Sequence, residues 1–295
     1  MHQPKFLKAN LKEKLKELEK FFSPCKICSK ECNALRLNNE KGDCQIGRYA
    51  IVSSFGPHFG EEEELVGENG SGTIFFSGCN LHCIYCQNYE ISQYVEGKEV
   101  KPEELAEMML RLQKIGCHNI NLVSPTHVIF QILEALIVAK ERGLNLPIVY
   151  NSGGYDKIEI LRILEGVVDI YMPDMKYSND GYALKYSKVK KYSEINKKAV
   201  KEMYRQVGDL KIANGIAYSG LLIRHLVLPN KIAGSFEILD FIAKEISQNS
   251  YVNIMLQYRP CYLANHYLEL NRRIKKEEYE EVINYAKKIG LYRGF

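Results

Sequence analysis

The sequence predicts an α/β protein built on an open, partial (β/α)6 barrel of TIM type. From Thr73 onward, short β-branched and aromatic segments alternate with stretches in which apolar residues recur every three to four positions. Six such units in one direction predict a parallel sheet with helices on its outer face, and six units rather than eight predict a barrel that stays open. A doubly wound sheet is the alternative, but the sequence contains no glycine-rich dinucleotide fingerprint to support it.

The same two patterns give the bounds of the elements. The predicted strands cover 73–77, 119–123, 147–150, 168–172, 221–228 and 252–257, and the predicted helices cover 102–115, 128–142, 157–164, 196–212, 235–247 and 275–289. Pro102 followed by two glutamates is typical of a helix start, and Gly116, Gly143 and Gly290 stand where helices end. Residues 178–195 are a polar insertion after the fourth strand and a candidate lid over the barrel mouth.

The chain before the barrel predicts a helical, cysteine-rich N-terminal extension. Over 5–22, leucines and Phe22 recur at helical spacing with Lys and Glu on the other face, which predicts an amphipathic helix packed on the main domain. We therefore expect the extension at residues 1–60 and the barrel at residues 61–295. The acidic run at 61–64 is typical of a solvated loop, and we expect no site there.

The composition argues against several kinds of partner. The net charge of +4 is too small and too dispersed to indicate nucleic acid. No apolar run approaches the ~20 residues that a membrane-spanning helix needs. Nine cysteines without a recognisable signal peptide indicate a reducing compartment, in which thiols serve metals or chemistry. We therefore expect a cytoplasmic protein with neither a nucleic-acid nor a membrane partner.

Three cysteines follow the first predicted strand in a C-x3-C-x2-C spacing: Cys79, Cys83 and Cys86. Three thiolates are one short of the four that saturate an iron–sulfur cluster or a structural zinc ion. A [4Fe-4S] cluster held by three cysteines leaves one iron open, where a substrate or cofactor can bind. A zinc knuckle and ordinary core cysteines are the alternatives, but His82, the nearby fourth ligand for zinc, lies inside the turn and would strain a tetrahedral site.

With Tyr85 just before the last cysteine, this motif resembles that of the radical S-adenosylmethionine (SAM) enzymes. The segments GTIFFSGCNLHCIYCQNYEISQ, NLVSPTH, YNSGGYD, DIYMPDMKY, GLLIRHLVLPN and QYRPCY are together similar to the pyruvate formate-lyase activating-enzyme-like branch of that superfamily. The resemblance implies an oxidoreductase that takes an electron from flavodoxin or ferredoxin and reductively cleaves SAM at the three-cysteine cluster. The resulting 5′-deoxyadenosyl radical would abstract a hydrogen atom.

The substrate stays open at this point. The resemblance implies activation of a glycyl-radical enzyme by hydrogen abstraction from a backbone glycine. Modification of a small molecule or a peptide without such a partner is one alternative, and a non-enzymatic metal-binding interaction module is the other.

The resemblance also implies which residues contact SAM, all but one of them near the carboxyl ends of predicted strands. They are Ser124 and Thr126 for the amino group, Asn151 and Ser152 for the ribose, Asp174, Lys176 and Arg224 for the charged part of SAM, and Tyr85 beside the cluster. The Asp-Met-Lys run at 174–176 is similar to the Asp-Leu-Lys of glycyl-radical activating enzymes.

A second group of cysteines lies in the extension: Cys25, Cys28, Cys32 and Cys44. Four cysteines within twenty residues of polar sequence are too many for a core. They could hold a structural zinc ion or a second iron–sulfur cluster, or stay free thiols, and the spacing does not decide among these. A redox role and a structural clip for a loop-rich segment both fit.

Overall fold

The computed structural model describes residues 3–295, so the first two residues of the predicted extension lie outside the described range. The strands in this range are β1 (Ala50–His58), β2 (Ser71–Phe76), β3 (Lys98–Val100), β4 (Ile120–Val123), β5 (Ile148–Ser152), β6 (Ile170–Pro173), β7 (Lys211–Ala213), β8 (Ile216–Leu226) and β9 (Tyr251–Met255). They form one sheet in the order β3-β1-β2-β4-β5-β6-β8-β7, and β9 also pairs with β8.

The six predicted strands make up the parallel part of this sheet. β2, β4, β5, β6, β8 and β9 pair in parallel, in that order. Within residues 3–295 no pairing joins β9 back to β2, so the prediction of an open partial barrel is confirmed. β1, β3 and β7 add antiparallel pairs that the sequence patterns did not predict as part of the barrel.

The helices lie close to their predicted positions. They are α1 (Leu11–Phe22), α2 (Glu63–Val66), α3 (Tyr89–Ser92), α4 (Pro102–Ile115), α5 (Ile129–Glu141), α6 (Ile158–Ile163), α7 (Asp180–Ser187), α8 (Tyr192–Val207), α9 (Ser235–Phe241) and α10 (Lys276–Lys288), with a π-helical turn at Ile242–Ile246 and 3-10 turns at Lys5–Leu7, Arg36–Asn38, Thr126–Val128, Pro229–Lys231 and Ala264–His266. None of the helices in the described range has the length and apolar surface that crossing a lipid bilayer requires.

Two helix ends differ from the prediction for local reasons. The helix predicted over 5–22 starts only at Leu11, because the Asn10 side chain accepts a hydrogen bond from the backbone N–H of Glu13 and caps that end. The helix predicted over 196–212 is α8. It ends at Val207, because Gly208 follows with a φ of +68°.

The extension packs on the barrel through α1, as predicted. α1 lies against α5 and α6, and the Phe22 ring stacks on Phe130 with 4.1 Å between the ring centroids. The division of the chain at residue 60 stays a prediction, and β1, which precedes it, pairs with β2 of the barrel.

Side chains on the parallel strands alternate between an outer and an inner core. Tyr150 and Tyr171 belong to the large core beneath the helices, whereas Val149 and Met172 belong to a separate cluster that Leu65 of α2 completes. This division follows from the two-residue period of a strand. Because Leu65 lies in the connection from the end of β1 to the start of β2, it fills the amino end of the barrel.

The acidic run at 61–64 is not the solvated loop that its composition indicates. The Glu61 carboxylate lies 3.5 Å from the Arg224 guanidinium, and Glu62 accepts a hydrogen bond from the Asn253 side chain at 2.7 Å. These partners come 163 and 191 residues later in the chain, so no local pattern reveals them. Glu61 and Glu62 therefore belong to the barrel interior, whereas Glu63 is exposed.

Candidate functional site

A cavity of about 140 Å³ opens at the carboxyl ends of β2, β4, β5, β6 and β8. Its wall includes Cys79, Cys83, Cys86, Ser124, Asn151, Ser152, Asp174, Lys176 and Arg224. The carboxyl ends of parallel barrel strands share one rim, which is why residues far apart in sequence meet here. Of the residues predicted for the barrel site, Tyr85 and Thr126 do not line this space.

The loop that carries the three cysteines leaves β2 in close contact with the extension. Gly78 has a φ of +76°, a conformation that side chains disfavour. A Cβ atom there would collide with the backbone carbonyl oxygen of Cys44. Further along the loop, His82 pairs with Asp43 at 2.8 Å. The extension and the cysteine loop thus support each other.

Each motif cysteine has a hydrogen-bonding group at its sulfur. The pairs are the Leu81 backbone N–H with Cys79 at 3.4 Å, the Ser187 hydroxyl with Cys83 at 2.9 Å and the Ser92 hydroxyl with Cys86 at 3.2 Å. Donors at sulfur stabilise a thiolate and tune any metal that it binds.

The environment of these thiols suits a metal cluster. The pKa of Cys83 is raised to about 11, chiefly by burial, with the Lys176 charge opposing the rise and the neighbouring Cys86 adding to it. Burial and Cys83 likewise raise the pKa of Cys79. Buried thiols that resist ionisation lose their protons on metal binding, because the positive metal charge compensates the negative charge of each thiolate. Three sulfurs, with no fourth cysteine among the described residues of the wall, fit a [4Fe-4S] cluster with one open iron.

Asp174 joins the two cations of the cavity. Its carboxylate accepts hydrogen bonds from Lys176 Nζ at 2.6 Å and from Arg224 Nε at 2.9 Å. Arg224 also donates to the Asn151 side-chain oxygen at 2.8 Å. Burial alone would raise the pKa of Asp174, but the Arg224 and Lys176 charges hold it below its ordinary value. Asp174, Lys176 and Arg224 sum to one positive charge, and the Glu61 carboxylate lies 3.5 Å from Arg224. The two cations can therefore offer hydrogen-bond donors to a carboxylate ligand without a large excess of charge.

Behind this wall, Asp156 collects three hydroxyl groups. Thr126 and Ser152 donate to its two carboxylate oxygens at 2.7 Å each, and Tyr150 donates at 2.9 Å. Burial raises the pKa of Asp156, and the three hydrogen bonds oppose that rise. The Thr126 hydroxyl is therefore committed to Asp156 behind the cavity, whereas Ser152 reaches both Asp156 and the cavity wall.

Ser124 and Tyr85 are placed differently from each other. Ser124 lines the cavity with a φ of +61°, a rare conformation for a residue with a side chain. Tyr85 is buried behind the cysteine loop, where its ring lies edge-on to Tyr177 and Tyr258. It supports the loop from the side opposite the cavity.

The insertion at 178–195 is not a lid over the cavity, because it packs against the cysteine loop instead. The backbone N–H of His82 donates to the Ser187 carbonyl at 3.0 Å, and that of Ile84 donates to the Tyr186 carbonyl at 2.9 Å. None of residues 178–195 lines the cavity. The mouth of the cavity therefore stays open on that side.

Three residues near the site were missed from the sequence. Asp156 organises the hydroxyls behind the wall, and Glu61 approaches Arg224 from the amino end of the barrel. Gln93 lines the cavity and donates to the Leu81 carbonyl at 3.2 Å, which fixes the cysteine loop. Only Asp156 had a local signal, because it stands four residues after Ser152 beyond the same strand.

The comparisons with known proteins agree with this geometry. The model of the radical SAM superfamily matches residues 73–213, which include the cysteine loop and the strand ends that surround the cavity. A radical SAM methyltransferase from Sphaerobacter thermophilus shares the fold, with a TM-score of 0.52 and 14% identity over 75% of this chain and 64% of that chain.

Two relatives in sequence extend the likeness beyond the matched domain. The uncharacterized protein MJ0674 of Methanocaldococcus jannaschii is 35% identical over 97% of this chain and 81% of its own length. The pyruvate formate-lyase-activating enzyme of Clostridium pasteurianum is 29% identical over 62% of this chain and 70% of its own length. The chain belongs to the radical SAM superfamily, whose cofactors are a [4Fe-4S] cluster and SAM.

Proposed function

We propose that this radical SAM enzyme activates a glycyl-radical enzyme by abstracting hydrogen from a glycine of that partner. Cys79, Cys83 and Cys86 would hold the [4Fe-4S] cluster, and flavodoxin or ferredoxin would be the electron donor. When bound, the cluster supplies a low-potential electron, and SAM supplies the sulfonium bond that this electron cleaves. The likeness to the Clostridium pasteurianum activating enzyme supports the choice of substrate.

The charged residues of the cavity match the charged part of SAM. An ammonium group has three donors, and Lys176 uses one of them on Asp174. Its remaining donors, with Arg224, would bind the methionyl carboxylate of SAM, and Asp174 would accept from the methionyl ammonium. Asp174 would thus orient both cations before the ligand arrives, so little side-chain entropy is lost on binding.

The polar residues on β4 and β5 match the ribose. Ser124, Asn151 and Ser152 line the cavity side by side. Because the Ser152 hydroxyl donates to Asp156, its oxygen would accept from a ribose hydroxyl. Thr126 would act as a positioning residue through Asp156 rather than touch SAM.

The open mouth is the observation that carries the proposal. A small-molecule enzyme gains from a segment that closes over the substrate and excludes water. Here the insertion at 178–195 packs on the cysteine loop and leaves the mouth free. A peptide loop of a partner protein needs such access.

The test uses anaerobically reconstituted protein with SAM, reduced flavodoxin and pyruvate formate-lyase. We expect 5′-deoxyadenosine together with the EPR doublet of a glycyl radical, and neither with Cys83→Ala. Deoxyadenosine without the doublet, at a rate that the partner does not change, would contradict activation and favour a small-molecule or peptide substrate. If SAM is not cleaved at all, a non-enzymatic metal-binding module remains.

A further inference from the structure

The four cysteines of the extension surround one small enclosed space. Cys25, Cys28, Cys32 and Cys44 line a cavity of about 10 Å³. A Cβ atom on Gly42 would lie 2.9 Å from Cys32 Sγ and 3.7 Å from Cys44 Sγ, so these two sulfurs border the same point. Within residues 3–295 no three or more His, Cys, Asp or Glu side chains are arranged to hold a metal ion as they stand. The four sulfurs would therefore move closer together when a metal binds.

A backbone N–H group lies at the sulfur of each of the four cysteines and opposes the rise in pKa that burial causes at Cys28 and Cys44. The backbone N–H of the residue two positions later approaches each sulfur: Ile27 for Cys25, Lys30 for Cys28, Ala34 for Cys32 and Ile46 for Cys44. The Leu81 N–H has the same relation to Cys79 in the cluster loop. An N–H group directed at sulfur stabilises the negative charge that a metal ligand carries.

Two buried polar side chains in the cavity wall each have one nitrogen without a hydrogen-bond partner. The Arg36 side chain is 1% exposed and one of its terminal nitrogens, Nη2, has no hydrogen-bond partner. The other terminal nitrogen donates to the His127 carbonyl at 2.7 Å and lies 4.0 Å from Cys25 Sγ. His127 is 2% exposed, and its Nδ1 is also unpartnered. A buried cation needs a compensating negative charge, which thiolates bound to a metal in the same cavity would supply.

We propose that Cys25, Cys28, Cys32 and Cys44 bind a thiophilic metal centre, a zinc ion or an iron–sulfur cluster. Four thiolates around Zn²⁺ or around a cluster leave net negative charge, which Arg36 neutralises in the wall. The centre also supports the radical SAM loop, because the Cys44 carbonyl packs against Gly78 and Asp43 pairs with His82. This proposal goes beyond the proposed function and does not depend on the substrate.

The test separates the two metal sites on the full chain. In the variant Cys79→Ala/Cys83→Ala/Cys86→Ala, any remaining metal belongs elsewhere. Metal and acid-labile sulfide are counted after anaerobic purification and after reconstitution with iron and sulfide or with zinc. We expect about one zinc, or about four irons with matching sulfide, per chain. Adding Cys28→Ala and Cys32→Ala should remove that metal, whereas adding Cys117→Ala, a buried cysteine outside both sites, should leave it.

The two supporting results differ in kind. Zinc would give a colourless protein with a structural centre, and iron with sulfide would give the visible absorption of a cluster. A triple variant that keeps the wild-type circular dichroism spectrum but binds neither metal would overturn the proposal. Equal metal loss with Cys117→Ala would overturn it as well. Neither result depends on SAM cleavage, so the proposed function can fail while this site stands.

Discussion

Replacing Asp174 with asparagine removes the negative charge that lies between Lys176 and Arg224. The two ion pairs measure 2.6 and 2.9 Å, and only 14% of the Asp174 side chain and 19% of each partner are exposed. Asp174→Asn would leave Lys176 without its carboxylate partner and Arg224 with Glu61 at 3.5 Å. Removing one member of a buried pair costs about 3 kcal/mol or more, because the remaining charge is left uncompensated.

This free energy converts into a measurable shift in melting temperature. Unfolding entropy of about 2.1 cal/mol/K per residue gives about 0.6 kcal/mol/K for a chain of 295 residues, so about 3 kcal/mol corresponds to a fall of about 5 °C. The pKa of Asp174 lies below its ordinary value of 3.8, so its contribution is fully present above that pH and is lost only as the pH falls further. Anaerobic calorimetry at pH 7.5 and one scan rate therefore measures the whole effect.

Two further variants make the Asp174 experiment decisive. Glu194→Gln breaks an exposed pair, with 62% of Lys198 and 51% of Glu194 exposed, and should shift the melting temperature by less than about 1 °C. Lys176→Gln in the Asp174→Asn background removes the cation left without a partner and should recover more than about 1 kcal/mol relative to additivity. A shift for Asp174→Asn as small as that of Glu194→Gln, or strict additivity in the double variant, would refute the reasoning.

Three other changes test the same structure. Burial lowers the pKa of His225 to about 4 in the folded protein, whereas a histidine in the unfolded chain has a pKa of about 6.5. Below that pH the unfolded chain binds more protons than the folded one, so the free energy of unfolding should fall by about 2 kcal/mol between pH 7.5 and pH 5. His225→Gln should remove that part of the fall in calorimetry at the two pH values, and an unchanged pH dependence would contradict it. Ser187→Ala deletes the hydroxyl 2.9 Å from Cys83 Sγ and should lower the cluster potential in an anaerobic redox titration by on the order of 20 mV, equivalent to about 0.5 kcal/mol; no change or a rise would argue against a donor role. Gly78→Ala adds a Cβ against the Cys44 carbonyl and should lower the melting temperature by at least about 3 °C. The control Gly143→Ala has a φ of +89° but open space around the new Cβ, so it should lower the free energy of unfolding by only about 1 kcal/mol. Equal effects of the two variants would contradict close packing at Gly78.

The parallel barrel was predictable because its signals are local. Ile148, Val149 and Tyr150 put apolar side chains on both faces of β5, and the whole strand is buried, as a strand covered by helices on one side and by a barrel interior on the other must be. β3 and β7 gave no such signal, because each has three residues that are mostly exposed. Short edge strands are specified by their neighbours rather than by their own composition.

The site was predictable to the level of strand ends but not of side-chain direction. Thr126 follows β4, yet the φ of +61° at Ser124 and the 3-10 turn that follows direct its hydroxyl to Asp156. The insertion looked like a lid because its composition is polar. Its helix α7 nevertheless buries Ala183, Tyr186 and Ser187, an i, i+3, i+4 stripe that packs it on the cysteine loop. Such orientations depend on distant partners that periodicity cannot identify.

The use of α7 as a wall constrains what can cover the cavity during the reaction. To swing over the mouth, α7 would give up two backbone hydrogen bonds to the cysteine loop and the contact between Ser187 and Cys83. At about 1 kcal/mol for each lost hydrogen bond, this motion costs about 3 kcal/mol and also removes a hydroxyl from the cluster ligand. A radical reaction nevertheless needs a site without water. Under the proposed function, the partner protein would supply the surface that shields the cavity, while α7 keeps its place against the cysteine loop.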